Sequence, residues 1–306
     1  MAREKQHIMV KVEKVAHLKG HQGGIYSLAA YHSKTFFAAS SDMFVSQWSL
    51  DNFENTGFNI KVPSQAYSIC ILHRKEIMFI GTFKGDIHVI DIVTKRELKL
   101  LRNHNAAVLS IATNLDESYV MAASADGNIS VIDTENFVTS KVVSLCAEKV
   151  RSIRPYQSQD FIVAAGDGKI RVIDGLSFEV KLAYAAHDLS ANIAIYQANH
   201  AAIISGGRDA HLKKYELNNE TLELDIPAHN YALYDILHLS SLGLVVTASR
   251  DKTIKLWKAD NLDFLLRINK ENYDAHVNSV NCLLYHEELL ISGSDDRTMM
   301  VWNLKK

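Results

Sequence analysis

The chain has 306 residues, 47% hydrophobic and 22% charged, with a formal net charge of −2. That balance leaves no global basic field of the kind that captures nucleic acid, and no apolar run approaches the ~18–20 residues that cross a membrane. Three cysteines, Cys70, Cys146 and Cys282, show no paired spacing, so no disulfide framework is expected and a reducing cytoplasm is the expected setting.

In chain order, the opening M-A-R-E-K-Q-H leads into alternating apolar and charged positions, which argues against a secretory leader. Residues 8–18, I-M-V-K-V-E-K-V-A-H-L, read as a strand with no partner nearby in sequence. A strand, tight turn, strand unit then begins, A-A-S-S-D-M-F-V-S-Q-W ending at Trp48. Equivalent units end at Ile90, Ile132, Ile173, Tyr215, Trp257 and Trp302, spaced 42, 42, 41, 42, 42 and 45 residues apart. A self-similar period of ~40–45 residues is that of one propeller blade. In the first blade the pattern predicts strands over 24–31, 35–40, 43–49 and 55–61. Later innermost strands begin near Gln65, Ala107, Lys149, Ser190, Tyr231 and Val277. The fold class expected is all-β: a seven-bladed β-propeller of four-stranded antiparallel blades, forming a single domain over 1–306. The last repeat stops after its third strand, so the N-terminal strand 8–18 is expected to complete the seventh blade and close the ring. The three extra residues of the last spacing fall in 269–274, a polar outer loop expected to be the most mobile.

The blades start alike. His21, His104, His187, His229 and His276 precede the turn aspartates Asp42, Asp126, Asp209, Asp251 and Asp296 by 20 to 22 residues. With Gly20-His21 at one end of a repeat and Trp48, Trp257 and Trp302 at the other, the chain resembles the WD-repeat (WD40) propeller family over essentially its whole length. The set His229, Ser249, Asp251 would suit a hydrolytic triad. It returns, with Trp257, as His21, Ser40, Asp42, Trp48 and as His276, Ser294, Asp296, Trp302, and no enzyme needs three equivalent triads around a ring. The resemblance implies instead a buried hydrogen-bond chain from Trp indole to Ser, Ser to His, and His to Asp. The other blades lose parts of this set. Blade 4 keeps only Asp167, and blade 2 places Lys84 at the turn, where it is expected to point outward.

His32, His73, His238 and His286 take matching places on the rim opposite the Asp turns, with His200 near the equivalent turn of blade 5. Solvated turn residues are the expected reading, because neighbouring blades stand too far apart for one ion with ligands at ~2.0–2.1 Å. Phosphate-loop, C-x-x-C and H-E-x-x-H motifs are absent, so neither cofactor nor metal is expected.

Two classes of function remain. The first is a non-catalytic scaffold or adaptor that binds a peptide or partner-protein segment on the top face. The alternative is a propeller enzyme with its site at the mouth of the central channel, which would need carboxylates, metal ligands or a nucleophile–base pair converging there. The positions expected at that mouth are aromatic, small or basic, which favours the scaffold. By register with WD-repeat propellers, Tyr26, Tyr67, Leu109, Arg151, Asn192, Tyr234 and Asn281 look out from the starts of the innermost strands. Ser41, Phe83, Ala125, Gly166, Arg208, Arg250 and Asp295 look out from the turns. Among these, Tyr26, Tyr67, Phe83, Arg151, Arg208, Tyr234 and Arg250 are the candidate binding residues, since tyrosine and arginine dominate interface hot spots. An arginine arc suits an acidic segment. Other proteins or peptides are the expected partners, with no nucleic acid and no membrane insertion.

Overall fold

The computed structural model describes residues 10–157, 159–217 and 221–305. Seven antiparallel sheets of four strands each stand in a ring, with the innermost strand of each blade packed against those of its two neighbours. The first blade holds strands Ile25–Tyr31, Thr35–Ser40, Phe44–Ser49 and Asn55–Lys61, within a residue of the pattern read from the sequence.

The apolar core lies between blades, not on the ring axis. Seven clusters of buried side chains each join two adjacent blades, the last joining blade 7 to blade 1 through Leu18, Phe36, Trp48, Ile291 and Met299. A middle strand is therefore covered on both faces. Ile77–Thr82, I-M-F-I-G-T, is buried at every position, which is why these strands read as apolar runs and not as alternating patterns. Outermost strands meet solvent; Arg96–Arg102 exposes five of its seven residues.

The turns that define the repeat share one backbone signature. Met43, Ala210, Lys252 and Arg297 have φ between 68° and 72°, and Gly85, Gly127 and Gly168 occupy the same place in the other three blades with φ between 77° and 94°. Each follows the turn Asp or its replacement. Glycine takes this left-handed conformation without penalty. At Gly127 a side chain is excluded for a second reason, because a Cβ would lie 2.1 Å from the Cys146 carbonyl oxygen.

Closure follows the predicted route with a shifted boundary. The first strand runs Lys11–Lys19 and pairs antiparallel with Thr298–Lys305, from Lys11 opposite Lys305 to Lys19 opposite Thr298. Residues 8 and 9 of the predicted strand lie outside the described residues. The polar segment 269–274 is not the loose loop expected. It forms a short helix, Lys270–Tyr273, capped by the buried Asn269 side chain, which accepts from the Asn272 N–H. Asp274 then pairs with Lys14 of the closing strand at 2.6 Å. The extra residues thus tie the sixth blade to the seam of the ring.

Candidate functional site

A cavity of about 700 Å³ occupies the centre of the ring. Tyr26, Tyr67, Leu109, Arg151, Asn192, Tyr234 and Asn281 all line it, one from each blade, and a single backbone device brings them there. In every blade the pairing of the innermost strand skips the residue concerned, with register shifts between Ile25 and Ser27, Ala66 and Ser68, Val108 and Ser110, Val150 and Ser152, Ala191 and Ile193, Leu233 and Asp235, and Val280 and Cys282. A bulge frees one residue from the ladder and re-aims its side chain. Sevenfold repetition makes a rosette.

The rosette is uneven. Tyr26 stacks on Tyr67 with ring centroids 4.5 Å apart and planes within 4°, and Tyr67 stacks on Phe83 at 5.8 Å. Phe83 remains 51% exposed, so the aromatic run climbs from the mouth onto the rim. Asn192 and Asn281 serve a different end, donating to Leu233 O and Ile25 O of the next blades at 2.8 and 3.1 Å. Arg151 is half-buried, and its Nε is shut from solvent with no hydrogen-bond partner among the described residues. Burial pulls the Arg151 guanidinium pKa down, with Tyr234 and Arg208 as its electrostatic neighbours. Arg208 and Arg250 are exposed. Neither lines the cavity, and Arg250 lies over the Tyr231 ring at 6.0 Å. The structure thus separates the predicted arc of three arginines, with one in the wall and two on the rim.

The cavity also holds two carboxylates, Asp295, expected at the turns, and Asp235, which sequence reasoning missed. Asp235 is buried in its wall. One carboxylate oxygen accepts from Arg154 across the channel at 3.2 Å and from the Ile236 N–H, while the other accepts from the Leu283 N–H at 2.8 Å. Burial pushes its pKa up, against the pull of Arg154. Asp295 accepts from Asn281 at 2.7 Å, and burial raises the nearby Cys282 thiol well above its ordinary value. The two carboxylates strut the walls of the ring. Among the described residues no group of three or more His, Cys, Asp or Glu is placed to hold a metal.

Around the mouth, the relays beneath the turns correct the expected chain: in blades 6 and 7 the hydroxyl comes from the residue two positions before the expected serine. In blade 6, Trp257 Nε1 donates to Thr247 Oγ1 at 2.9 Å, Thr247 Oγ1 lies 2.8 Å from His229 Nε2, and His229 Nδ1 lies 2.9 Å from Asp251 Oδ2. Blade 7 repeats this with Trp302, Ser292, His276 and Asp296. The relaying hydroxyl is therefore Thr247 or Ser292. Ser249 and Ser294 pin the turn instead, each accepting from the backbone N–H of the turn Asp and donating to a carbonyl of the preceding segment. Ser40 does the same in blade 1. Blade 3 reaches His104 from the third strand, through Ser130 at 2.9 Å. In blade 4 the buried Arg171 grips Asp167 in place of a histidine. In blade 2 Lys84 is exposed and His88, from the third strand, bonds Glu97 at 2.9 Å.

These relays make the fold acid-sensitive. For Asp42, Asp126, Asp209, Asp251 and Asp296, burial alone would raise the pKa, but hydrogen bonds from the neighbouring histidine and backbone N–H groups outweigh it and hold each carboxyl below its ordinary value. Burial also lowers His104 and His229. In both cases the folded chain binds fewer protons than the unfolded one, so stability falls as pH drops. Loss should begin below about pH 6.5, where unfolded histidine takes up its proton, and steepen below about pH 4. Asp235, shifted upward, opposes this. Melting temperature followed from pH 8 to pH 3 checks it, and a flat profile between pH 7 and pH 4 would contradict it.

On the opposite rim the histidines are less free than expected. His286 Nε2 lies 2.9 Å from the His32 carbonyl oxygen, His32 lies 3.5 Å from Glu76, and His200 lies 3.3 Å from Asp260. Each contact joins neighbouring blades.

A ring of seven four-stranded blades with a loop-built face and hydrogen-bonded His–Asp turns defines a β-propeller of the repeat type. The family model "WD domain, G-beta repeat" matches residues 12–49, 95–133, 221–258 and 268–303, and the chain belongs to the WD40-repeat family. The matched stretches take in blades 1, 3, 6 and 7, which keep the histidine, the turn serine and the turn aspartate. Among curated proteins it is similar to nuclear distribution protein nudF of Emericella nidulans, 28% identical over 218 residues, covering 68% of this chain and 42% of that protein. It is similar to nuclear distribution protein PAC1 of Coccidioides posadasii, 25% identical over 228 residues, covering 69% and 41%. A WD repeat-containing protein 55 homolog of Dictyostelium discoideum is 24% identical over 253 residues, covering 78% and 59%. The chain spans about two fifths of the length of the first two. Among the described residues no helix is long and apolar enough to cross a membrane.

Proposed function

We propose that this protein is a non-catalytic scaffold, one propeller domain whose channel mouth takes an acidic segment of another protein. One observation carries the reading: Arg151 presents a half-buried guanidinium, with Nε unpartnered among the described residues, beside Arg208 at the mouth. A carboxylate entering there would gain a charge-assisted hydrogen bond at a half-buried group, where such bonds are stronger than in open water. Tyr234 and the Tyr26–Tyr67–Phe83 run offer large, preordered aromatic area beside it, the residue types that anchor interfaces. The carboxylates of the cavity are committed to Arg154, Asn281 and backbone N–H groups, which leaves no poised nucleophile–base pair and disfavours an enzyme. A net charge of −2 disfavours nucleic acid, and a cytoplasmic setting fits three free cysteines.

The test uses a partner recovered by affinity pull-down and measured by titration. Tyr234→Ala combined with Arg208→Glu is expected to weaken binding by roughly thirtyfold or more at unchanged melting temperature. Full retention, with loss produced instead by changes at His32 and His286, would move the site to the opposite rim.

A further inference from the structure

Blade 1 has the ends of a relay without its middle. Its histidine, aspartate and tryptophan are in place, with His21 Nδ1 2.8 Å from Asp42 Oδ2. At the position of Thr247 and Ser292, however, the chain has Ala38, which lies opposite Ser46 as Thr247 lies opposite Lys255. His21 is 7% exposed and Trp48 3% exposed. His21 Nε2 and Trp48 Nε1 are both shut from solvent and have no partner among the described residues. Two buried polar groups so left would each carry an uncompensated desolvation cost.

The blade is also shaped differently beside them. In blade 6 the outermost strand lays Phe264 against Trp257 at 5.6 Å. In blade 1 the residue opposite Trp48 is Asn55, and the next pair is Ser46 with Asn59, so the outer strand bulges away over 56–58. Gly57, at φ 84°, has nothing within 4 Å of a Cβ position. The result is a cleft of about 690 Å³ between blades 7 and 1, walled by Lys19, His21, Ser46, Trp48, Asn55 and Asn59 among others. The two residues that carry the orphaned nitrogens belong to its lining.

Their chemistry specifies the occupant. Asp42 is held below the ordinary carboxylate range, since hydrogen bonds from His21 and the Gln22 N–H outweigh the effect of burial. Where His21 Nδ1–H donates to Asp42 Oδ2, Nε2 of an uncharged imidazole is left as an acceptor. Trp48 Nε1 can only donate. A single atom that serves both must accept from the indole and donate to the imidazole. A carboxylate or an ammonium ion fails one half of that requirement, whereas a hydroxyl oxygen meets both, as Thr247 does in blade 6.

We propose that the cleft is a binding site for a neutral hydroxyl oxygen, supplied by a bound water or by a small alcohol or polyol, which accepts from Trp48 and donates to His21 in place of the hydroxyl that Ala38 lacks. Such an occupant enters from the flank of the ring, away from the channel mouth. The side chains of Asn55, Asn59 and Ser46 are at hand for the further hydroxyls of a polyol.

The test is a high-resolution crystal structure of the full chain, native and soaked in glycerol, with an acetate soak as control. The expected result is an oxygen within hydrogen-bond distance of both His21 Nε2 and Trp48 Nε1. Replacement of that oxygen by one of glycerol identifies a polyol site, an oxygen unmoved by glycerol identifies a water site, and acetate is expected to leave it in place. An empty position overturns the proposal. So does a Ser46 hydroxyl turned onto His21 Nε2, as Ser130 lies on His104. In solution, the Trp48 indole N–H is expected to exchange with solvent at least about tenfold faster than those of Trp257 and Trp302, whose partners are fixed hydroxyls. The variant Ala38→Ser supplies the oxygen internally and is expected to raise the melting temperature, slow that exchange and remove the bound oxygen. Exchange as slow in the native chain as in this variant would overturn the proposal independently of the crystals.

Discussion

A chain lacking residues 1–19 is expected to lose its cooperative melting transition or to aggregate. The first strand buries Val12 and Leu18 against the neighbouring cores and pairs along the length of Thr298–Lys305. Losing those two side chains alone removes about 3–6 kcal/mol, set against a typical total stability of about 5–15 kcal/mol. The deletion also strips Asp274 of its Lys14 partner and leaves the strand carrying Trp302 as an open edge, a template for pairing with other chains. Circular dichroism melts and light scattering on the purified truncation check this. A truncated chain that stays monomeric and melts like the parent would show that the seventh blade is stable with three strands.

Thr247→Ala is expected to cost about 2–6 kcal/mol, because it orphans two buried groups at once, Trp257 Nε1 and His229 Nε2, at about 1–3 kcal/mol each. Ser249→Ala removes a turn hydrogen bond and should cost about 1 kcal/mol. Chemical denaturation of the two variants separates them. Equal losses, or a larger loss at Ser249, would return the relay to the serine that the repeat pattern first suggests. Thr247→Ser should recover most of the stability, since the oxygen is restored and only a methyl is lost.

The seven blades, their strand boundaries and the closure of the ring were legible in the residues themselves. A repeat whose every copy must stack on its neighbours writes its period into the chain, and the positions following Asp42, Asp251 and Asp296 all take the left-handed turn that the repeated pattern demands. The exposed Lys84 was legible for the same reason, since a lysine cannot be buried where an aspartate's partners are missing.

Two things escaped. Thr247 and Ser249 sit two apart on one strand, so both side chains leave the same face, and no pattern along the chain tells which one meets the indole. That depends on how the third strand lies against the second. Likewise Arg154, Asp235 and Leu283 come from three blades and are 81 and 48 residues apart in the pairs that bond. The sequence by itself determined the architecture, because repetition and burial between blades are local in each copy. The resemblance placed the seven residues that line the mouth, and only the tertiary structure decided which further side chains meet them there. Bulges in seven separate strands aim one side chain each at a common axis, and the contacts made there join residues that no local pattern connects.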